Sequence, residues 1–164
     1  MAGTVKTNAL RLLDAAKLPY RTLSYEWTEG LFDGELVAKK VGMDPAAVFK
    51  TLVARGERKG FAVFLVPVCR ELDLKAAAAL LGDKKVDLIH VNDLTPLTGY
   101  LRGGCSPVGM KKQFPTFIDE SALAFPEIAV SAGVRGLQMV VAPGALAAYL
   151  HAGAGKLAKA AEDA

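Results

Sequence analysis

The sequence is short of the residues on which disulfide and metal chemistry depend. Cysteine occurs twice in 164 residues, at Cys69 and Cys105, with no CxxC pair and no disulfide framework. Reduced thiols and a cytoplasmic setting are the simpler expectation. Histidine also occurs only twice, at His90 and His151, so no Cys/His metal site is expected. No apolar run approaches the roughly 20 residues that cross a bilayer. The opening Met1-Ala2-Gly3-Thr4-Val5-Lys6-Thr7 lacks the apolar core of a signal peptide, so no membrane contact is expected. Charge of one sign is scarce too. A net charge of +3 permits contact with a polyanion but is too small to imply nucleic-acid binding unaided.

Familiar catalytic signatures are missing as well. Residues 151–156 imitate a phosphate-binding loop, but Leu150 stands where its first glycine belongs and Leu157 where Ser or Thr should follow the lysine. No GxGxxG, HExxH or GxSxG pattern occurs, and neither histidine has a claim to a catalytic triad. Acyl transfer normally relies on a nucleophile–base pair, and the sequence shows none.

What is present reads as one globular domain over residues 1–164. The hydrophobic share is 52% and the charged share 23%, and the length suits one core but not two. Apolar spacing predicts a helix over 4–17, stopped by Pro19, and a short strand over 20–25. Asp33 is placed to cap a helix closed by Gly42, and Asp44-Pro45 reads as the start of another helical turn. Residues 49–54 and 61–68 predict a hairpin, whose second strand does not alternate and so should be buried on both faces. A helix is expected from Asp73 to Gly82, a strand at 86–91, a short helix at 92–97, strands at 116–119, 128–131 and 137–141, and a helix at 144–151. Residues 153–164 read as a fraying tail. Hairpins outnumber βαβ units, which predicts an α/β (α+β) fold with a mixed, largely antiparallel sheet.

Three stretches place polar groups where packing alone gains nothing from them. Lys50 sits in the apolar run Val48-Phe49-Lys50-Thr51-Leu52-Val53, either snorkelling from an edge or pointing into a pocket toward an anion or carbonyl oxygen. Residues 99–112 combine glycines with a basic flank, a backbone able to approach a ligand or simply a long solvated turn. Ser131-Ala132-Gly133-Val134-Arg135-Gly136 leaves a strand and can bring a hydroxyl and a guanidinium to one rim. Cys105 reads as a bystander thiol, since no histidine lies near it in sequence.

Taken in order, Val48-Phe49-Lys50-Thr51-Leu52, Leu72-Asp73-Leu74-Lys75, Thr98-Gly99-Tyr100, residues 103–112 and residues 131–137 resemble the YbaK family of free-standing aminoacyl-tRNA editing proteins. That family is related to the editing domain inserted in bacterial prolyl-tRNA synthetases. The likeness extends over about residues 4–150; each piece is weak alone, and the ordered set is specific. It implies a barrel-like mixed sheet surrounded by helices, no cofactor and no metal. It also implies hydrolysis of the ester between a mischarged amino acid and tRNA, with the branch that clears Cys-tRNA(Pro) the nearest match. Partners implied are mischarged tRNA and, in support, prolyl-tRNA synthetase. By the same likeness Lys50 meets the substrate's 3′-phosphate or carbonyl region, the Gly103 backbone holds the α-amino group, and Ser131 joins them as the strand-end serine. Tyr25, Phe32, Thr51, Gly104 and Arg135 are placed around the substrate. The implied attacking group is the substrate's own thiol. Two alternatives stay open: a deacylase for alanine or another small amino acid, and a non-catalytic tRNA- or synthetase-binding module.

Overall fold

A computed structural model describes residues 6–30 and 32–160. Helix α1 (Asn8–Ala15) begins where Thr7 accepts a hydrogen bond from the Leu10 amide, so the chain enters the helix later than the apolar spacing predicts. Strand β1 (Arg21–Ser24) follows. Helix α2 (Gly34–Val41) is capped by Asp33 and closed by Gly42 in the left-handed region, as its sequence anticipates. A 3-10 turn over Pro45–Ala47 leads into β2 (Phe49–Gly56), which folds back on β3 (Gly60–Pro67). Helix α3 (Leu74–Leu81) runs from Asp73 to Gly82, followed by β4 (Val86–Leu88) and α4 (Val91–Thr98). The glycine-dense segment is an irregular loop. Beyond it come β5 (Thr116–Asp119), β6 (Ile128–Ser131), β7 (Leu137–Val141), α5 (Pro143–Leu150) and β8 (Gly153–Gly155).

The strands form two sheets among the described residues, not a closed barrel, which corrects the barrel-like expectation. One is antiparallel, in the order β1-β7-β6; the other is mixed, in the order β4-β2-β3-β5-β8. Among the described residues one parallel bridge, between Val48 and Ala129, joins their ladders, which meet at one corner instead of continuing into each other.

Alternation along the strands divides the core into layers. Val63 and Leu65 of β3, Ile128 and Val130 of β6, and Leu137 and Met139 of β7 pack together between the sheets with Leu10 and Leu13 of α1 and Leu146 of α5. The intervening residues face outward: Ala62, Phe64 and Val66 pack under Ala77 and Ala78 of α3, and Ala129 and Val140 pack against Ala38 of α2. Strand β3 is thus covered on both faces, as its unbroken apolar run predicts. Each fully buried Val, Leu, Ile, Phe or Met side chain in these layers contributes about 1.5–3 kcal/mol.

The expected fraying tail is a second correction. Strand β8 pairs in parallel with β5, and Leu157 is wholly buried. The Asp119 carboxylate accepts hydrogen bonds from the Leu157 and Ala158 amides, each at 2.8 Å, which fastens this segment to the end of β5. Alanine and glycine around it carry no periodic signal, so the attachment is invisible to pattern reading. The expectation for residues 161–164 lies outside the described residues.

Candidate active site

Strand β4 pairs with Ala54–Gly56 of β2, and among the described residues the earlier part of that edge has no ladder strand. A cavity of about 520 Å³ opens along it, in the size range of small-molecule sites. Every residue from Val48 to Val53 lines it, with Val37 of α2, Ile89 and Leu94 around the far side. The walls are mostly apolar and the polar groups few, the usual composition of a pocket that orients a small ligand.

The two-residue strand period sends Phe49 and Val53 into the core between the sheets and Lys50 to the opposite face. Lys50 is half-buried. Burial pulls its pKa below the ordinary lysine value, and Glu71, Cys69 and Glu35 act in the opposite direction. Among the described residues its ammonium makes no hydrogen bond or ion pair, so it is available to an anion or a developing oxyanion. Thr51 beside it holds a buried hydroxyl oxygen without a partner among the described residues.

The β6–β7 hairpin supplies the opposite wall. Ser131 and Gln138 are cross-strand partners, and both line the cavity. The Ser131 hydroxyl accepts a hydrogen bond from the Gly133 amide at 3.1 Å, and the Thr7 hydroxyl donates to the Ala132 carbonyl at 2.6 Å. Thr7 therefore caps α1 and pins this turn at once. Tyr100 presses on the same turn: a Cβ at Gly133 would lie 3.0 Å from its ring, and its hydroxyl donates to the Val108 carbonyl. Turn and glycine loop are locked together.

Gly103 lines the cavity with φ +87°, a conformation that favours glycine. Gly104 is buried behind it, where a Cβ would lie 3.0 Å from the Arg135 backbone nitrogen. Arg135 also stands outside the lining, its Nε donating to the Arg102 carbonyl at 2.8 Å. The structure thus brings Lys50, Thr51, Tyr25, Phe32, Gly103 and Ser131 to one cavity, and places Gly104 and Arg135 in its support.

Cys105 reaches the cavity wall, but burial pushes its thiol up to about 12. It stays protonated at neutral pH and is a poor nucleophile. Among the described residues no three His, Cys, Asp or Glu side chains gather as a metal site would require. Gln138, Arg102 and His90 also line the cavity, and reading the sequence found none of them. The polar Gln138, second residue of the otherwise apolar strand Leu137–Val141, was the available signal.

The family description "Aminoacyl-tRNA editing domain" matches residues 28–149, which includes every lining residue named above except Tyr25. The chain is 47% identical over 141 residues to an Enterococcus faecalis protein named "Putative Cys-tRNA(Pro)/Cys-tRNA(Cys) deacylase EbsC", covering 86% of each chain. It is 32% identical over 92 residues to a proline–tRNA ligase of Thermosipho africanus, a match spanning 56% of this chain and 16% of the ligase. A solved structure described as a "putative trans-editing enzyme for prolyl tRNA synthetase" superposes with a TM-score of 0.77 at 28% identity, covering 92% of both chains. On these matches, the chain belongs to the aminoacyl-tRNA editing domain family.

Proposed function

We propose that this protein is a deacylase that clears cysteine from mischarged Cys-tRNA(Pro). The observation that carries the reading is an unpaired Lys50 ammonium in an apolar pocket whose lining thiol, on Cys105, is held protonated. Such a pocket has the means to hold and polarise an ester but no activated nucleophile of its own. The attacking group then comes from the substrate. The cysteine sulfur bonds to its own carbonyl carbon, the ester C–O bond breaks, and the thiol proton ends on the released ribose hydroxyl. The amino acid leaves as a strained thiolactone that water opens to cysteine.

Positioning suffices to drive this step. Groups held in attacking geometry reach effective molarities of about 10⁵–10⁸ M. Lys50 faces the carbonyl or the adjacent 3′-phosphate region and stabilises negative charge there. The Gly103 backbone and Ser131 hold the aminoacyl head, with Thr51 beside them, and Tyr25 and Phe32 wall the pocket. Arg135 and Gly104 keep the loop and turn in register. Similarity to a proline–tRNA ligase and to a trans-editing structure supports a cytoplasmic setting in which a prolyl-tRNA synthetase presents the mischarged end.

The test is a panel of mischarged tRNAs incubated with the purified protein. Rapid loss of the ester on Cys-tRNA(Pro), with Pro-tRNA(Pro) untouched, is expected. Faster clearance of alanine or serine overturns the substrate assignment, and clearance of none overturns the enzyme assignment. A Cys-tRNA(Cys) arm shows whether the tRNA body or the amino acid is selected.

A further inference from the structure

Two arginines lie over two aromatic rings at the mouth of the cavity. The Arg102 guanidinium carbon is 4.1 Å from the centroid of the Phe32 ring, and that of Arg135 is 4.3 Å from Trp27 and 5.7 Å from Phe32. The two rings meet edge to face, 6.2 Å apart at 64°. The hydrogen bond from Arg135 Nε to the Arg102 carbonyl ties the two arginines' segments together. Gly103 runs between them, where a Cβ would sit about van der Waals distance from Trp27, Arg135 and Phe32 alike.

Core packing does not explain this arrangement. Phe32 is 41% exposed, and Arg102 is exposed as well. Among the described residues no carboxylate pairs with the Arg102 guanidinium. An exposed aromatic ring capped by an unpaired planar cation is a poor way to stabilise a fold. It is a good surface for a nucleobase, because a guanidinium plane stacks on any base and favours an anionic chain nearby. Its place is informative too. Phe32, Arg102 and Gly103 line the same cavity as Lys50, so the group esterified to a bound amino acid emerges beside the stack.

We infer that the Arg102–Phe32 layer, backed by Arg135 and Trp27, is a stacking platform for the unpaired terminal base at the 3′ end of tRNA. The occupant rests on the deacylase reading; the platform rests on the geometry. Lys50 and the pocket recognise the aminoacyl ester, and the platform supplies affinity that the small net charge of +3 does not. Because stacking tolerates any base, the platform holds the terminal nucleotide without selecting the tRNA.

The experiment uses the full chain and an unacylated ribotrinucleotide, CCA, with a second probe whose 3′ nucleotide is abasic. Trp27 is the single tryptophan, so its emission reports on the stack without a label. CCA should quench it, and the abasic probe should bind roughly ten-fold more weakly. Arg102→Ala should weaken CCA binding by a similar factor and abolish the difference between the probes. Arg102→Lys, which keeps charge and loses the plane, should behave like Arg102→Ala. Equal binding of the two probes by the wild type, or full rescue by Arg102→Lys, overturns the proposal. Deacylation by the wild type is measured alongside. Deacylation without CCA quenching removes the platform alone, and quenching without deacylation removes the enzymatic reading alone.

Discussion

Ser131 and Gln138 face each other across the β6–β7 ladder at the cavity wall, yet among the described residues only Ser131 of the two has a partner for its side-chain oxygen. Gln138 is 6% exposed, and its carbonyl oxygen accepts no hydrogen bond among the described residues. A buried acceptor left unpaired costs about 1–3 kcal/mol, so the pocket carries a stability cost that a ligand donor relieves. An α-ammonium group is such a donor. Gln138→Met should lower kcat/KM for deacylation about ten-fold or more while the melting temperature holds or rises. Parallel losses in both would mean that Gln138 is structural only.

Lys50 sets a second trade of stability against activity. Burial lowers its pKa in the folded protein, so the charged lysine destabilises the fold at neutral pH, a penalty relieved as pH rises through the folded pKa. Lys50→Met should therefore abolish most deacylation without lowering the melting temperature. In the wild type, activity should fall on the alkaline side with an apparent pKa below the ordinary lysine value of 10.5. A profile flat through that range, or full activity in Lys50→Met, removes Lys50 from the reaction.

Cys105 lies at the cavity and is the obvious rival nucleophile. With its thiol pushed up to about 12, Cys105→Ala should retain deacylation within about three-fold, and thiol-directed alkylation at neutral pH should be slow. Loss of more than a hundred-fold on this substitution would restore a protein-thiol mechanism.

Asp119 holds the C-terminal segment. Burial raises its pKa, but hydrogen bonds from Ser121, Leu157 and Ala158 outweigh that and hold the carboxyl below its usual value of 3.8. Its contribution is present above that value and is lost as pH falls through the lowered pKa. Asp119→Ala should cost about 2–4 kcal/mol, roughly 5–10 °C in melting temperature, and speed hydrogen exchange across 153–158. Unchanged exchange there would show that β8 is held by other contacts.

Much of this was legible beforehand where local chemistry decides structure. Asp33 with Gly42 and Asp73 with Gly82 bracket α2 and α3 as their capping chemistry requires. Strands β5, β6 and β7 fall where their apolar runs predict. The separation into two sheets joined by one bridge, Val48 to Ala129, was not legible, because it depends on pairing between residues far apart in the chain. Lys50 stood out because it interrupts an apolar strand. Arg102 and Trp27 did not, since an arginine in a glycine loop and a tryptophan in a polar loop acquire meaning only when Phe32 brings them together. Gln138 carried a weak signal as a polar residue in an apolar strand, and its weight comes from an oxygen that lacks a partner among the described residues.

The central claim is that the substrate's own thiol carries out the attack that this pocket only positions. Single-turnover deacylation of Cys-tRNA(Pro) and Ser-tRNA(Pro), with saturating protein, tests it directly, because the two esters differ by one atom. The account predicts that the cysteine ester is cleared at least a hundred-fold faster. Equal rates for the two would contradict it.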